Sequence, residues 1–177
     1  MLRSRCSQPA AGTPRDSFTV IGVPRTSAGI LLHRRGPDGG LQVLAGHMGG
    51  PFWARKDAGA WSIPKGEHGP DDDPLAAARR EFEEELGSPV PATELVPLGP
   101  VRQSGGKVLT VWAGEGDLDA TTARSNTFSL EWPPRSGRMQ EFPEIDRAAW
   151  FDLDTARAKI VKAQLPFLDR LAEHLAG

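Results

Sequence analysis

Residues 69–87 read GPDDDPLAAARREFEEELG and hold seven carboxylates: Asp71, Asp72, Asp73, Glu81, Glu83, Glu84 and Glu85. The stretch carries its own helix punctuation. Asp73 suits an N-cap, Pro74 the first helical position and Gly87 the position past the end, so the spacing predicts a helix over 74–86. At about 100° per residue, Leu75, Ala78, Phe82 and Leu86 form the buried stripe. Glu81, Glu84 and Glu85 stand at i, i+3 and i+4 in one quadrant beside it, while Glu83 points away. Like charges at that spacing repel by about 0.2–0.5 kcal/mol per pair, and desolvation at the edge of an apolar stripe makes the repulsion worse. A solvated acidic face is the simpler account, but the helix has no lysine and its arginines, Arg79 and Arg80, are adjacent rather than interleaved with the acids. A hard divalent cation resolves the clash, because Mg²⁺ takes oxygen ligands and keeps several waters.

The longer segment GEHGPDDDPLAAARREFEEELGS resembles the box that defines the Nudix hydrolase family: Gly, five residues, Glu, seven residues, then Arg-Glu-aliphatic-x-Glu-Glu-x-Gly-aliphatic. Gly66, Arg80, Glu81, Glu84, Glu85 and Gly87 fall in register. Six such matches would arise by chance on the order of once in 10⁵ chains. Asp72 replaces the first Glu, Phe82 an aliphatic residue and Ser88 another. AWSIPKGE is similar to the strand and turn leading into the box in members acting on dinucleoside and inositol polyphosphates. PEIDRAAWFDLDTA is similar to a late segment of many members. Together these span most of residues 26–165.

The resemblance implies an α/β fold, an α/β/α sandwich with a mixed central sheet. It further implies a pyrophosphohydrolase that cleaves a nucleoside diphosphate linked to another group, with Mg²⁺ or Mn²⁺ as cofactor. A phosphoanhydride is protected by its own negative charge, so its hydrolysis needs cations on the non-bridging oxygens and an activated water. Carried over by position, Glu81, Glu84 and Glu85 hold metal with the Gly66 carbonyl. Arg80 orients a neighbouring carboxylate. Asp72, one methylene shorter than the family residue, stands as a further ligand or as the group fixing Arg80, with Glu67 as its substitute. The general base is a box glutamate or a loop carboxylate; Glu144 in FPEID, and Glu141 before it, are the loop candidates. Lys65 adjoins Gly66 and is the first choice for a phosphate contact, with Arg55 behind it and Lys56, Arg102, Lys107, Arg135 and Arg138 as weaker choices. The chain has no tyrosine, so base stacking falls to Phe52, Trp53, Trp112 or Trp132, and Trp53 in its Gly-rich loop leads. The alternative is a nucleotide-binding or regulatory module that keeps the fold but turns over weakly; its signature, loss of a box glutamate, is not found in the trio.

These residues must be positioned by the elements around them. TSAGILLHRR and LQVLAGH read as strands joined by the hairpin chemistry of GPDGG. The loop GGPFWARKDAG and a short strand AWSI follow, then the helix. LVPLGPVRQ and KVLTVWAGE read as a strand pair about SGG, and NTFSLEW as a further strand. PPRSGRMQEFPEID reads as a loop, AAWFDL as a last strand, and two helices close the chain, one capped by Asp154 and one starting near Pro166. Trp61 and Trp150 are expected in the core.

At 177 residues the chain fits one domain, expected over 18–177, behind a disordered tail at 1–17. A net charge of −2 and a pI of about 6.1 argue against a nucleic-acid polymer as partner and allow a small phosphorylated substrate, in first place a nucleotide. No run of about 20 apolar residues is available to span a bilayer. One cysteine, Cys6, builds neither a disulfide framework nor a zinc site and suits a cytoplasmic setting. Nudix proteins are often dimers, which leaves a homodimer open; the individual substrate is not legible.

Overall fold

The computed structural model describes residues 25–177; the expected tail at 1–17 and Cys6 lie outside them. Nine strands and three helices follow in chain order. They are β1 (Thr26–Arg35), β2 (Leu41–Met48), β3 (Trp61–Ser62), β4 (Lys65–His68), α1 (Pro74–Leu86), β5 (Val96–Arg102), β6 (Val108–Glu115), β7 (Thr127–Glu131), β8 (Met139–Pro143), β9 (Ile145–Asp152), α2 (Leu153–Lys159) and α3 (Leu165–Ala176). Seven strands form one mixed sheet in which β1 runs parallel to β6 and every other pairing is antiparallel. Among the described residues, no helix is long and apolar enough to cross a membrane.

β1 organises the sheet. Buried on both faces, it reads as a near-continuous apolar run, as a central strand must. Ala28, Ile30 and Leu32 face α1 together with Phe82 and Leu86, while Leu31 faces the opposite layer with Phe167, Leu168 and Leu171 of α3. Its edge toward β2 is shared: β2 pairs with the C-terminal end, His33–Arg35, and β4 with the N-terminal end, Thr26–Gly29. The strand β4 escapes sequence reading because KGEH has no apolar alternation; what holds it is its ladder to β1.

The helix α1 has the predicted bounds. The Asp73 carboxylate accepts from the Leu75 amide at 3.0 Å, and Gly87 closes the other end at φ 72°, its amide donating to the Glu83 carbonyl. Its buried face, however, is rotated from the predicted stripe. Leu75 is only half-buried, whereas Ala77 and Glu85 are buried beside Ala78, Phe82 and Leu86. Of the acidic quadrant, Glu85 is thereby buried and Glu81 half-buried, while Glu84 stays exposed.

Two further readings need correction. The segment PPRSGRMQEFPEID is not all loop: it contains β8, which pairs with β7 into a separate two-stranded ribbon; a lone ribbon strand carries little apolar alternation of its own. The cap of α2 is Asp152 and not Asp154, because the Asp152 carboxylate takes both the Thr155 amide, at 2.8 Å, and the Thr155 hydroxyl, at 2.7 Å. Trp61 is buried as expected, while Trp150 is half-buried and donates from its indole to the Leu118 carbonyl at 2.9 Å.

Because Phe82 is fully buried between α1 and β1, Phe82→Ala should cost about 3–5 kcal/mol in urea unfolding. A loss below about 1 kcal/mol would show that α1 is not anchored there.

Candidate active site

The box residues converge where α1 crosses β4. Gly66, in the middle of β4, lies so close to α1 that a methyl group added there would overlap the Glu81 carboxylate. A Cβ at this position would force the Glu81 side chain aside. One turn later the Glu85 carboxylate accepts from the Lys65 backbone amide at 3.1 Å. The helix reaches the strand through two carboxylates rather than through apolar side chains.

These residues line a cleft of about 370 Å³ together with Met48, Gly49, Trp53, Ser62, Glu67, Lys107, Phe128, Glu144 and Ile145. Glu85 is only 6% exposed. Burial pushes its carboxyl up to about 7, helped by the nearby charges of Glu144 and Glu81 and opposed by the charge of Lys65 and its backbone amide. Glu144 is also raised, first by burial and then by Glu81 and Glu84, with Lys65 opposing. The cleft thus gathers carboxylates that repel one another, with one lysine pulling against them.

The other predicted residues divide. Arg80 donates to Glu81 at 2.9 Å and lies 3.7 Å from Glu84, so its guanidinium orients both. Glu84 is 43% exposed at the helix surface and does not line the cleft. Asp72 is not brought to the trio; its carboxylate accepts from the Gly69 amide at 2.8 Å and closes the turn before α1. Glu67 pairs with Lys107, at 3.0 Å, and with Arg25, and these lower its carboxyl from the ordinary value. Glu141 sits on the ribbon, accepting from Thr127 and Ser129, and does not reach the cleft. Trp53 is on the wall with the Lys56 ammonium 4.6 Å from its ring centre. Arg55 is exposed and outside the lining. Met48, Gly49, Ser62, Phe128 and Ile145 line the cleft without being expected there, and Lys107 is only a weaker choice in sequence. Phe128 carries no motif, and Lys107 reads as plain surface charge until the parallel pairing of β6 with β1 brings it beside the mouth.

Among the described residues, no group of three His, Cys, Asp or Glu side chains is already drawn into a metal-ligating cluster. Arg80 holds Glu81 and the Lys65 amide holds Glu85, so a cation would have to recruit Glu84 by a side-chain rotation. The donor chemistry nonetheless fits a hard divalent ion: oxygen atoms only, two of the box carboxylates on the cleft, and a glycine carbonyl with no side chain in the way.

A model of the NUDIX domain matches residues 13–171, and the chain belongs to that family. It is a Nudix hydrolase. An RNA pyrophosphohydrolase of Rhodospirillum rubrum is 27% identical over 175 residues, covering 93% of this chain and 95% of its own. Among solved structures, a binary complex of the Ap4A hydrolase of C. elegans is similar with a TM-score of 0.61 at 19% identity, over 85% of this chain and 98% of that one. The NUDIX domain of Shewanella oneidensis NrtR bound to ADP ribose has a TM-score of 0.61 at 15% identity, over 86% and 89%. These two structures support the sandwich architecture.

The raised Glu85 carboxyl has a measurable consequence. In the unfolded chain it ionises near 4.5, whereas in the native state it keeps its proton to about 7. The native state binds more protons in that window, so stability falls as pH rises from 4.5 to 7, by about 3 kcal/mol if this group acts alone. In metal-free protein, Glu85→Gln, whose amide oxygen can still accept from Lys65, should therefore be more stable than wild type at pH 8 and not at pH 4.5. Equal urea midpoints at both pH values would show that Glu85 is not strained.

Proposed function

We propose that the chain is a divalent-metal-dependent pyrophosphohydrolase cleaving a phosphoanhydride in a nucleotide, with a dinucleoside polyphosphate as the favoured substrate. The observation that carries this reading is the pairing of mutually repelling carboxylates, buried Glu85 and half-buried Glu81 and Glu144, with lysines in one cleft. A cation relieves the first group, and phosphates satisfy the second.

In this reading Glu81 and Glu85 hold Mg²⁺ or Mn²⁺ with Glu84 and the Gly66 carbonyl, and the ion supplies Lewis-acid stabilisation of charge on the phosphate oxygens. Asp72 serves the turn and not the ion. Lys65 and Lys107 bind the phosphate chain as point charges, and Trp53 and Phe128 flank the rest of the nucleotide. Glu144 accepts the proton of the attacking water as its oxygen bonds to phosphorus and the phosphoanhydride P–O bond breaks; its raised affinity for a proton suits a base working near neutrality. The weaker reading, a binding module without turnover, has only Asp72 to rest on, since none of the three core glutamates is lost. The similarity to an RNA pyrophosphohydrolase over nearly its whole length keeps a 5′-phosphorylated RNA end in the substrate test.

That test is a panel of dinucleoside polyphosphate, ADP ribose, an oxidised nucleoside triphosphate, an inositol polyphosphate and 5′-triphosphorylated RNA, each with Mg²⁺ and with Mn²⁺. The dinucleoside polyphosphate should be cleaved fastest, only with metal, and Glu85→Gln should lower kcat at least about a hundredfold. Metal-independent turnover, or a Glu85→Gln enzyme of normal kcat, would overturn the metal site. Preference for the RNA end would overturn the substrate choice alone.

A further inference from the structure

The wall of the cleft opposite α1 comes from two places: the loop between β2 and β3, which carries Trp53, and the junction of β8 and β9, which carries Glu144. His47 makes contact with both segments. This residue, near the end of β2, is fully buried. Its Nδ1 lies 2.8 Å from the Asp146 carboxylate and its Nε2 lies 2.8 Å from the Lys56 carbonyl. A carbonyl oxygen only accepts. Asp146 also accepts from the Arg147 guanidinium at 3.2 Å. A neutral imidazole has one N–H and can satisfy one of these partners; satisfying both takes two N–H groups.

The setting is built for such a pair. The β2–β9 ladder runs regularly to His47 opposite Arg147 and then slips, placing Met48 opposite Ile145. Asp146 is the extra residue of a β-bulge, and a bulge re-aims the side chain it carries. The same slip brings the Glu144 carbonyl to the Gly49 amide at 2.8 Å. The His47 ring stands edge-on to Trp61, with centroids 5.1 Å apart. The Trp61 indole donates to Asp57 at 2.9 Å, and Lys159 of α2 pairs with Asp57. The charged groups around His47 are thus Asp146 and Arg147 from β9, with Lys56 and Asp57 from the loop and Lys159 from α2 behind Trp61.

We infer that His47 is a positioning residue. As an imidazolium donating to Asp146 and to the Lys56 carbonyl, it ties the loop bearing Trp53 to the strand junction bearing Glu144 and fixes the spacing of substrate wall and base. The kinetic consequence rests on the roles proposed above for Trp53 and Glu144; the proton count at His47 does not.

Two measurements test it, and they separate those cases. Long-range ¹H–¹⁵N NMR of the side chain should show both nitrogens of His47 protonated while the Lys56–Ala60 amides are protected from exchange. In Asp146→Asn a neutral ring donating from Nε2 and accepting from the new amide keeps both bonds, so a single-proton form should appear with the loop still protected. A bare nitrogen in wild type with a protected loop would overturn the inference, whatever the substrate panel shows. Kinetically, Asp146→Ala should lower kcat/KM about ten- to a hundredfold, the scale of a misplacement of about 1 Å. Asp146→Asn should recover most of that loss. A folded Asp146→Ala enzyme with wild-type kcat/KM would show that the clamp positions nothing.

Discussion

The structure turns on the contact between α1 and β4. Most helices meet a sheet through apolar side chains, and α1 does so against β1 with Ala78, Phe82 and Leu86. At β4 the contact is polar: the Glu81 carboxylate fills the space over Gly66 and Glu85 reaches the Lys65 amide. Burying an ionised carboxylate without a full set of partners is unfavourable, and here one hydrogen bond and one lysine oppose burial and two like charges. The apolar remainder of α1 supplies the compensation, holding the helix in register while its acidic edge is kept close to the cleft.

The rest of the fold can be understood as support for that edge. By pairing with β1 only along Thr26–Gly29, β4 holds Lys65 and Gly66 at the end of the sheet and leaves the other half of β1 to β2. The parallel β1–β6 pair brings Lys107 to the same end. The bulge between β2 and β9 turns Glu144 toward the glutamates from the opposite side. Residues from six separate segments thus surround one cleft, in which lysines stand among carboxylates.

Much of this was legible in the chain. Asp73, Pro74 and Gly87 mark α1 because capping chemistry is local, and the trio at i, i+3 and i+4 follows from helix geometry alone. The β1–β2 hairpin is written in its turn residues. What was not legible depends on tertiary pairing. No pattern in KGEH or MQEFP announces a strand, since their partners lie on distant segments. The rotation of α1 that buries Glu85 and leaves Glu84 at the surface is set by how the sheet meets the helix, so the three glutamates looked equivalent in sequence. Asp72 was read through a family position, while its local geometry, a carboxylate facing the Gly69 amide, makes it part of a turn.

Burial and like charges push the Glu85 carboxyl up to about 7, and in the proposed reading a cation relieves it. The Glu85 side-chain carboxyl can be followed directly by ¹³C NMR as pH is varied, first without metal and then with Mg²⁺. A midpoint near 7 in the metal-free protein, falling by more than one pH unit when Mg²⁺ is added, is the expected result. A midpoint near the ordinary glutamate value, or one that Mg²⁺ leaves unchanged, would contradict the account.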